Sequence, residues 1–312
     1  MVKYSIPNDD NKTFRKKVFL RLLDSSELGY VDGATDYCLL LPFADEYGLT
    51  QEDKIWLAYL YGLSYSGTTA IRFYVEFPSL ASIHPKKLNK FWKEQKETLW
   101  FNPDKKYLKN NDQVVEAIKG VYKISHKNIG SYMIPILEQG FDVAYKEIRK
   151  NWRFFGPHGA YLFFDALYGL CPELYSDPTH LDWKNCGKTV SEGMAHLLYM
   201  DEAIDTKQHD YDRYNRNVDK IAEKSGEPKV IIESTLCAFR KLFKETRYPG
   251  YYADRMLEEC NATAKILKGI GIDIWDYREK TIPDHLRGEL HGWKGIRKNK
   301  CKMFLETGEI NV

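Results

Sequence analysis

The sequence holds no apolar run near the roughly 18 residues a membrane-spanning helix needs, and its opening MVKYSIPNDDNK lacks the apolar stretch of a secretory signal. An intracellular protein is expected. The six cysteines, Cys38, Cys171, Cys186, Cys237, Cys260 and Cys301, are dispersed, with no C-x-x-C pair and no paired histidines at metal spacing. Reduced thiols are expected, and a zinc site is not. Nucleotide-loop signatures are missing too. Gly187-Lys188-Thr189 ends like a Walker motif, but the position five residues before Gly187 is Asp182, which would repel phosphate. Lys268-Gly269-Ile270-Gly271 supplies only the first glycine pair of a dinucleotide fingerprint. Strict apolar alternation, internal repeats and low-complexity linkers are also lacking, so neither a β-rich fold nor a repeat array is expected.

What is present is an ordered composition in 312 residues: 43% hydrophobic, 29% charged and 14% aromatic, with mean hydropathy −0.51. Such a chain can bury a full core without staples. The 22 Tyr, 15 Phe and 7 Trp suit a thick core, and they also suit surfaces that stack on planar ligands. The net charge of +2 hides local polarity. Residues 86–127 hold eleven lysines against five acids and residues 280–300 are again basic, whereas 199–219 lean acidic. A protein that holds a polyanion on one face could carry this pattern.

Helical spacing dominates. Helices are expected over 11–23, 36–47, 50–63, 86–98, 111–122, 131–139, 141–151, 161–170, 189–200, 215–224, 229–245 and 251–267, with an apolar run over 70–77 stopped by Pro78. Thr50 followed by Gln51, Glu52 and Asp53 reads as a hydroxyl cap with first-turn acids, and Pro85 suits a helix start. The expected fold is mostly α: one multi-helix body, 1–312, with 1–130 and 131–312 as its lobes if it divides.

One segment joins cations to rings. Arg240, Lys241 and Lys244 fall close together on a helix, and Arg247-Tyr248-Pro249-Gly250-Tyr251-Tyr252-Ala253-Asp254-Arg255 follows. Guanidinium forks match phosphate oxygens and tyrosine faces stack on bases, so this pattern suits a phosphorylated nucleotide.

Four blocks in order resemble the phage alpha-glutamyl/putrescinyl-thymine pyrophosphorylase superfamily, also described as amino acid:DNA transferases and related to the helical domain of 5-hydroxymethyluracil DNA kinases. They are Tyr61-Gly62-Leu63-Ser64-Tyr65-Ser66-Gly67-Thr68 leading to Phe77-Pro78; Phe91-Trp92 through Trp100-Phe101-Asn102-Pro103-Asp104-Lys105-Lys106-Tyr107-Leu108-Lys109; Trp152 to Ala160; and Leu236 to Arg255. The set spans about two thirds of the chain. Where the family block reads Phe-Gly-Arg-Phe, this chain has Phe155-Gly156-Pro157-His158, so His158 or Arg153 must replace any arginine that meets phosphate there.

The resemblance implies a helical transferase, distantly DNA-glycosylase-like, acting in the cytoplasm of an infected bacterium. It implies a substrate in DNA, pyrophosphorylated 5-hydroxymethyluracil, from which an amine donor, an amino acid or polyamine, displaces pyrophosphate. It also implies a functional link to a P-loop DNA kinase. Such chemistry needs cations at the leaving group, with Mg²⁺ an open addition, and a base for the attacking amine. The cation candidates are Lys105, Lys106, Lys109, Arg153, Arg240, Lys241, Arg247 and Arg255. The base candidates are Asp254, Asp104 and His158, with Asp165 and Glu233 behind them. Trp152, Phe155, Tyr248, Tyr251 and Tyr252 are the candidate walls for a flipped base. Two alternatives stay open. One is a helical glycosylase or lyase using a helix-hairpin-helix near residues 268–273; the other is a non-catalytic DNA-binding partner of such a kinase.

Overall fold

A computed structural model describes residues 11–26, 37–185, 187–199, 208–282 and 297–307. Among them are sixteen α-helices and no strand. None of these helices is long and apolar enough to cross a membrane. The helices divide between two units that interleave along the chain.

The larger unit runs from α2 (Leu40–Glu46) through α3 (Gln51–Ser64), α4 (Gly67–Glu76), α5 (Pro85–Gln95), α6 (Lys106–Asn110), α7 (Gln113–Ile124), α8 (Ile129–Leu137), α9 (Phe141–Asn151) and α10 (Pro157–Leu170). Thr50 caps α3 as its sequence predicts: its hydroxyl accepts from the Asp53 amide, while the Asp53 side chain accepts from the Thr50 amide. Pro85 begins α5, where a missing N–H costs nothing. The core centres on α3 against α10. A Cβ on Gly62 would lie 2.9 Å from the Phe155 ring and 3.0 Å from the Gly159 carbonyl, so only glycine lets these helices approach so closely. Around that contact, Trp56, Tyr59, Trp152, Phe155 and Phe163 form one buried aromatic cluster.

The smaller unit packs α1 (Lys12–Ser26), α11 (Lys188–Leu197), α12 (Tyr211–Ser225), α13 (Lys229–Phe243) and α16 (Arg297–Thr307). Phe19 meets Phe239 edge-on, Phe14 meets Phe243, and Gly193 lies so close to α13 that a Cβ would fall 2.3 Å from the Leu236 carbonyl. Buried Glu192 gathers Lys188, Arg240 and Lys244 at 3.0, 3.4 and 2.5 Å. Burial alone would raise its carboxyl, but Lys244 leads these cations in overcoming that and holding it at about 2. In the long helix α14 (Tyr251–Lys268), residues up to Arg255 belong to the smaller unit and the rest, with α15 (Ile274–Thr281), to the larger.

Helix α9 matches its expected span, and most other ends agree within a few residues. Helices α6, α15 and α16 were not foreseen. Most of the basic stretch 280–300, residues 200–207 of the acidic stretch and Cys186 lie outside the described residues. The other five cysteines carry no disulfide.

Candidate functional site

In the larger unit, three of the four resembling blocks meet. The first supplies the turn between α3 and α4. Tyr65 takes a left-handed conformation, and Ser66 then caps α4 by accepting from the Thr69 amide at 3.0 Å. The Thr69 hydroxyl donates to the Trp100 carbonyl, which fastens this turn to the second block. There the Lys105 amide bonds to the Asn102 carbonyl and the Asp104 amide to the Asn102 side chain, making a tight turn that sends Lys105 inward. Its side chain is 2% exposed.

The third block closes the arrangement. Phe154 turns the chain in the left-handed region, and Gly156 then starts α10 without a side-chain cap. The Lys105 ammonium lies against that helix start: it is 2.9 Å from where a Cβ on Gly159 would stand and 6.0 Å from the centre of the Phe155 ring. No hydrogen-bond partner reaches its Nζ among the described residues. Burial lowers its pKa to about 8 from an ordinary 10.5, with Asp104 opposing the drop. His158 is exposed on the first turn of α10, edge-on to Tyr65 at 5.4 Å. Arg149 donates to the Phe155 carbonyl at 3.3 Å and passes 3.9 Å from the Cβ position of Gly156.

A buried ammonium and the amides of a 14-residue helix start both present positive charge. Holding them together is unfavourable until an anion joins them, and a helix start with a cation beside it is a ready anion site. The arrangement can therefore take a phosphate group.

Behind the first block lies a residue that sequence reasoning missed. Glu259, fully buried on α14, accepts from the Ser66 hydroxyl at 2.7 Å and the Thr68 amide at 2.6 Å. Its other oxygen is buried without a hydrogen bond. Burial lifts this carboxyl to about 7 against the pull of Ser66 and Thr68. It fills the start of α4, so that helix end is already occupied. A signal existed: Tyr252, Met256, Glu259 and Thr263 follow helical spacing, which puts an acid on a buried stripe. Arg149 was missed as well, and no spacing pointed to it.

The other expected residues of this unit sit elsewhere or are already engaged. Lys109 donates to the Leu99 carbonyl at 3.0 Å, Arg153 pairs with Glu116 at 3.5 Å, and Lys106 is exposed at the start of α6. Asp104 shares the Lys105 turn. Trp152 and Phe155 are each 3% exposed and give their faces to the core, not to solvent.

The fourth block gathers separately in the smaller unit. Arg247 bonds the Tyr252 hydroxyl and lies 5.2 and 5.1 Å from the ring centres of Tyr251 and Tyr252. Arg255 donates to the Tyr251 hydroxyl at 3.2 Å. The Tyr248 hydroxyl donates to the buried Asp254 carboxylate, and Lys300 lies over the Tyr248 ring at 5.0 Å. The cations and rings do come together, but as a cluster whose tyrosines are buried. Arg240 is held by Glu192, and Lys241 is half-buried near the end of α13. No group of three or more His, Cys, Asp or Glu that could hold a metal ion occurs among the described residues.

No family model matches the chain, and no solved structure matches it. A curated phage protein does. The protein named Serinyltransferase, from Salmonella phage ViI, is 23% identical over 352 residues, an alignment that covers 98% of this chain and 85% of that protein.

Proposed function

We propose that this protein is a phage amino acid transferase that modifies DNA, displacing pyrophosphate from 5-pyrophosphoryloxymethyluracil with an amine. The observation that carries the reading is the end-to-end likeness to a protein named Serinyltransferase, which favours an amino acid as the donor. The anion site formed by Lys105 and the start of α10 suits the leaving group.

In the proposed step the amine nitrogen attacks the methylene carbon on C5 of the uracil, and a C–N bond forms as the C–O bond to pyrophosphate breaks. The bonding pair leaves with the pyrophosphate oxygen. Lys105, the first turn of α10 and Arg149 meet the charge that grows there, and because they are fixed before reaction they need little rearrangement during it. The ammonium form of the donor has no lone pair, so one proton must first be removed. His158, exposed beside the same helix start, is the proposed acceptor, with Asp104 in the adjoining turn as the second candidate. Glu259 acts on the site indirectly, by fixing the Ser66 to Thr68 turn.

The test is pyrophosphate release from DNA carrying the pyrophosphorylated base, with and without serine or a polyamine. Release that requires both DNA and amine supports the reading. A free base or an abasic site would assign the chain to glycosylase chemistry instead.

A further inference from the structure

The smaller unit holds a groove that none of the transfer chemistry uses. It has a volume of about 540 Å³ and runs between α1 and α12, within the range of ligand-binding clefts. Lys12 and Lys16 line it from α1, and Arg213, Lys220 and Lys224 line it from α12. One acid, Asp24, lies among them. None of the five cations has an ion-pair partner among the described residues. Among the other cations of this unit, Lys229 is matched by Asp219 at 2.7 Å and Arg240 by Glu192.

The floor is apolar. Phe19, Leu23, Leu197 and Ile221 form it, and Leu20 rises from it 42% exposed, one of the few large apolar side chains so open to water. Lys12 and Lys16 are one helical turn apart. Arg213, Lys220 and Lys224 follow each other along one face of α12 over about 16 Å, a length that several successive phosphates span and a single phosphate does not. Cations on both walls with an apolar, mainly aliphatic floor between them match a strand whose phosphates run along the edges while the apolar faces of its bases cover the floor.

We propose that this groove binds a single strand of DNA through its phosphate backbone. The proposal rests on the functional reading above only for the identity of the polyanion. It explains why five cations stand unmatched around a groove with an apolar floor, where solvated surface lysines would need no such floor. An acidic peptide would satisfy the charge but brings no flat apolar faces to cover the floor between the walls.

The test is fluorescence anisotropy with a labelled, unmodified single-stranded oligonucleotide, read as the slope of log affinity against log salt. Lys16→Gln/Lys220→Gln should flatten the slope by about 1.4, which is two lost phosphate contacts on a single strand at about 0.7 each. Lys16→Arg/Lys220→Arg should keep the wild-type slope, and so should Lys146→Gln/Lys150→Gln on exposed α9. Circular dichroism verifies that each variant is folded. Equal flattening by the α9 pair, an unchanged slope in the groove pair, or no binding by the wild type would overturn the proposal. So would polyglutamate displacing the strand more effectively than unlabelled DNA of equal charge. Because the binding probe is unmodified DNA, the two readings separate. Groove-dependent binding by a protein that releases no pyrophosphate from pyrophosphorylated DNA with any amine would sink the functional reading alone, and pyrophosphate release with groove-independent binding would sink this one alone.

Discussion

Replacing Lys105 with methionine should make the protein more stable and less active. The side chain is 2% exposed and its ammonium carries a pKa of about 8 where an unfolded lysine has 10.5. At about 1.4 kcal/mol per tenfold change in proton affinity, holding that charge costs the folded state about 3 kcal/mol as an upper limit. Because the folded value lies below the unfolded one, the cost is fully present below about pH 8. It fades as pH rises from 8 toward 10.5, and wild-type stability should climb across that window. Lys105→Met keeps the chain volume and removes the charge, so at pH 7 it should gain up to about 3 kcal/mol, or about 6 to 12 °C in Tm. Turnover should fall about 10²- to 10³-fold, the usual cost of losing one fixed group that stabilises developing charge. Added inorganic pyrophosphate should raise the wild-type Tm and leave that of Lys105→Met unchanged. Scanning calorimetry at pH 7 and pH 9.5, with pyrophosphate release measured in parallel, checks all of this. A variant that melts lower than wild type, or that releases pyrophosphate at an undiminished rate, would refute the reasoning.

Three further substitutions probe the frames of the two units. The Glu259 carboxyl is raised from 4.5 to about 7, so between those values the folded protein holds a proton that the unfolded chain has released, and wild-type stability should drop as pH rises through that range. Glu259→Gln should abolish the drop, as read from urea midpoints at pH 5 and pH 8; equal drops in both proteins would exclude the buried carboxyl as its cause. Glu192 is lowered to about 2, so its contribution is present above pH 4.5 and lost as pH falls toward 2. Glu192→Ala should cost about 2 kcal/mol at pH 7, with half-exposed Lys244 and Lys188 limiting the loss, and equal wild-type and variant midpoints there would count against the pairing. Gly193→Ala must push a Cβ toward a backbone oxygen 2.3 Å away, and about 2 kcal/mol of destabilisation in chemical unfolding is expected; an unchanged midpoint would mean that α11 and α13 can part without cost.

Local chemistry was legible in the sequence where it acts within a few residues. Thr50 with Asp53, Pro85 at a first turn and the 3.6-residue spacing of α13 all announce helices because caps and amphipathic stripes are short-range devices. Helices α6 and α15 escaped because five or eight residues carry too little periodicity to register. The site was legible only in pieces. Lys105 and His158 were singled out by their blocks, but what marks Lys105 is burial against the start of α10, and burial is a tertiary property. Glu259 was passed over because its partners Ser66 and Thr68 lie 193 and 191 residues away. The tyrosines around Arg247 read as open stacking faces, whereas their hydroxyls are spent on Arg247, Asp254 and Arg255 inside the fold.

The central claim is that an amine replaces pyrophosphate on a base within DNA. The most direct measurement is mass spectrometry of nucleosides released from 5-pyrophosphoryloxymethyluracil DNA after incubation with the protein, ¹⁵N-labelled serine or putrescine, and ¹⁸O-labelled water. A nucleoside heavier by the amine, carrying ¹⁵N and no ¹⁸O, is the predicted result. Recovery of 5-hydroxymethyluracil carrying ¹⁸O, of a free base, or of unreacted substrate with every amine would contradict it.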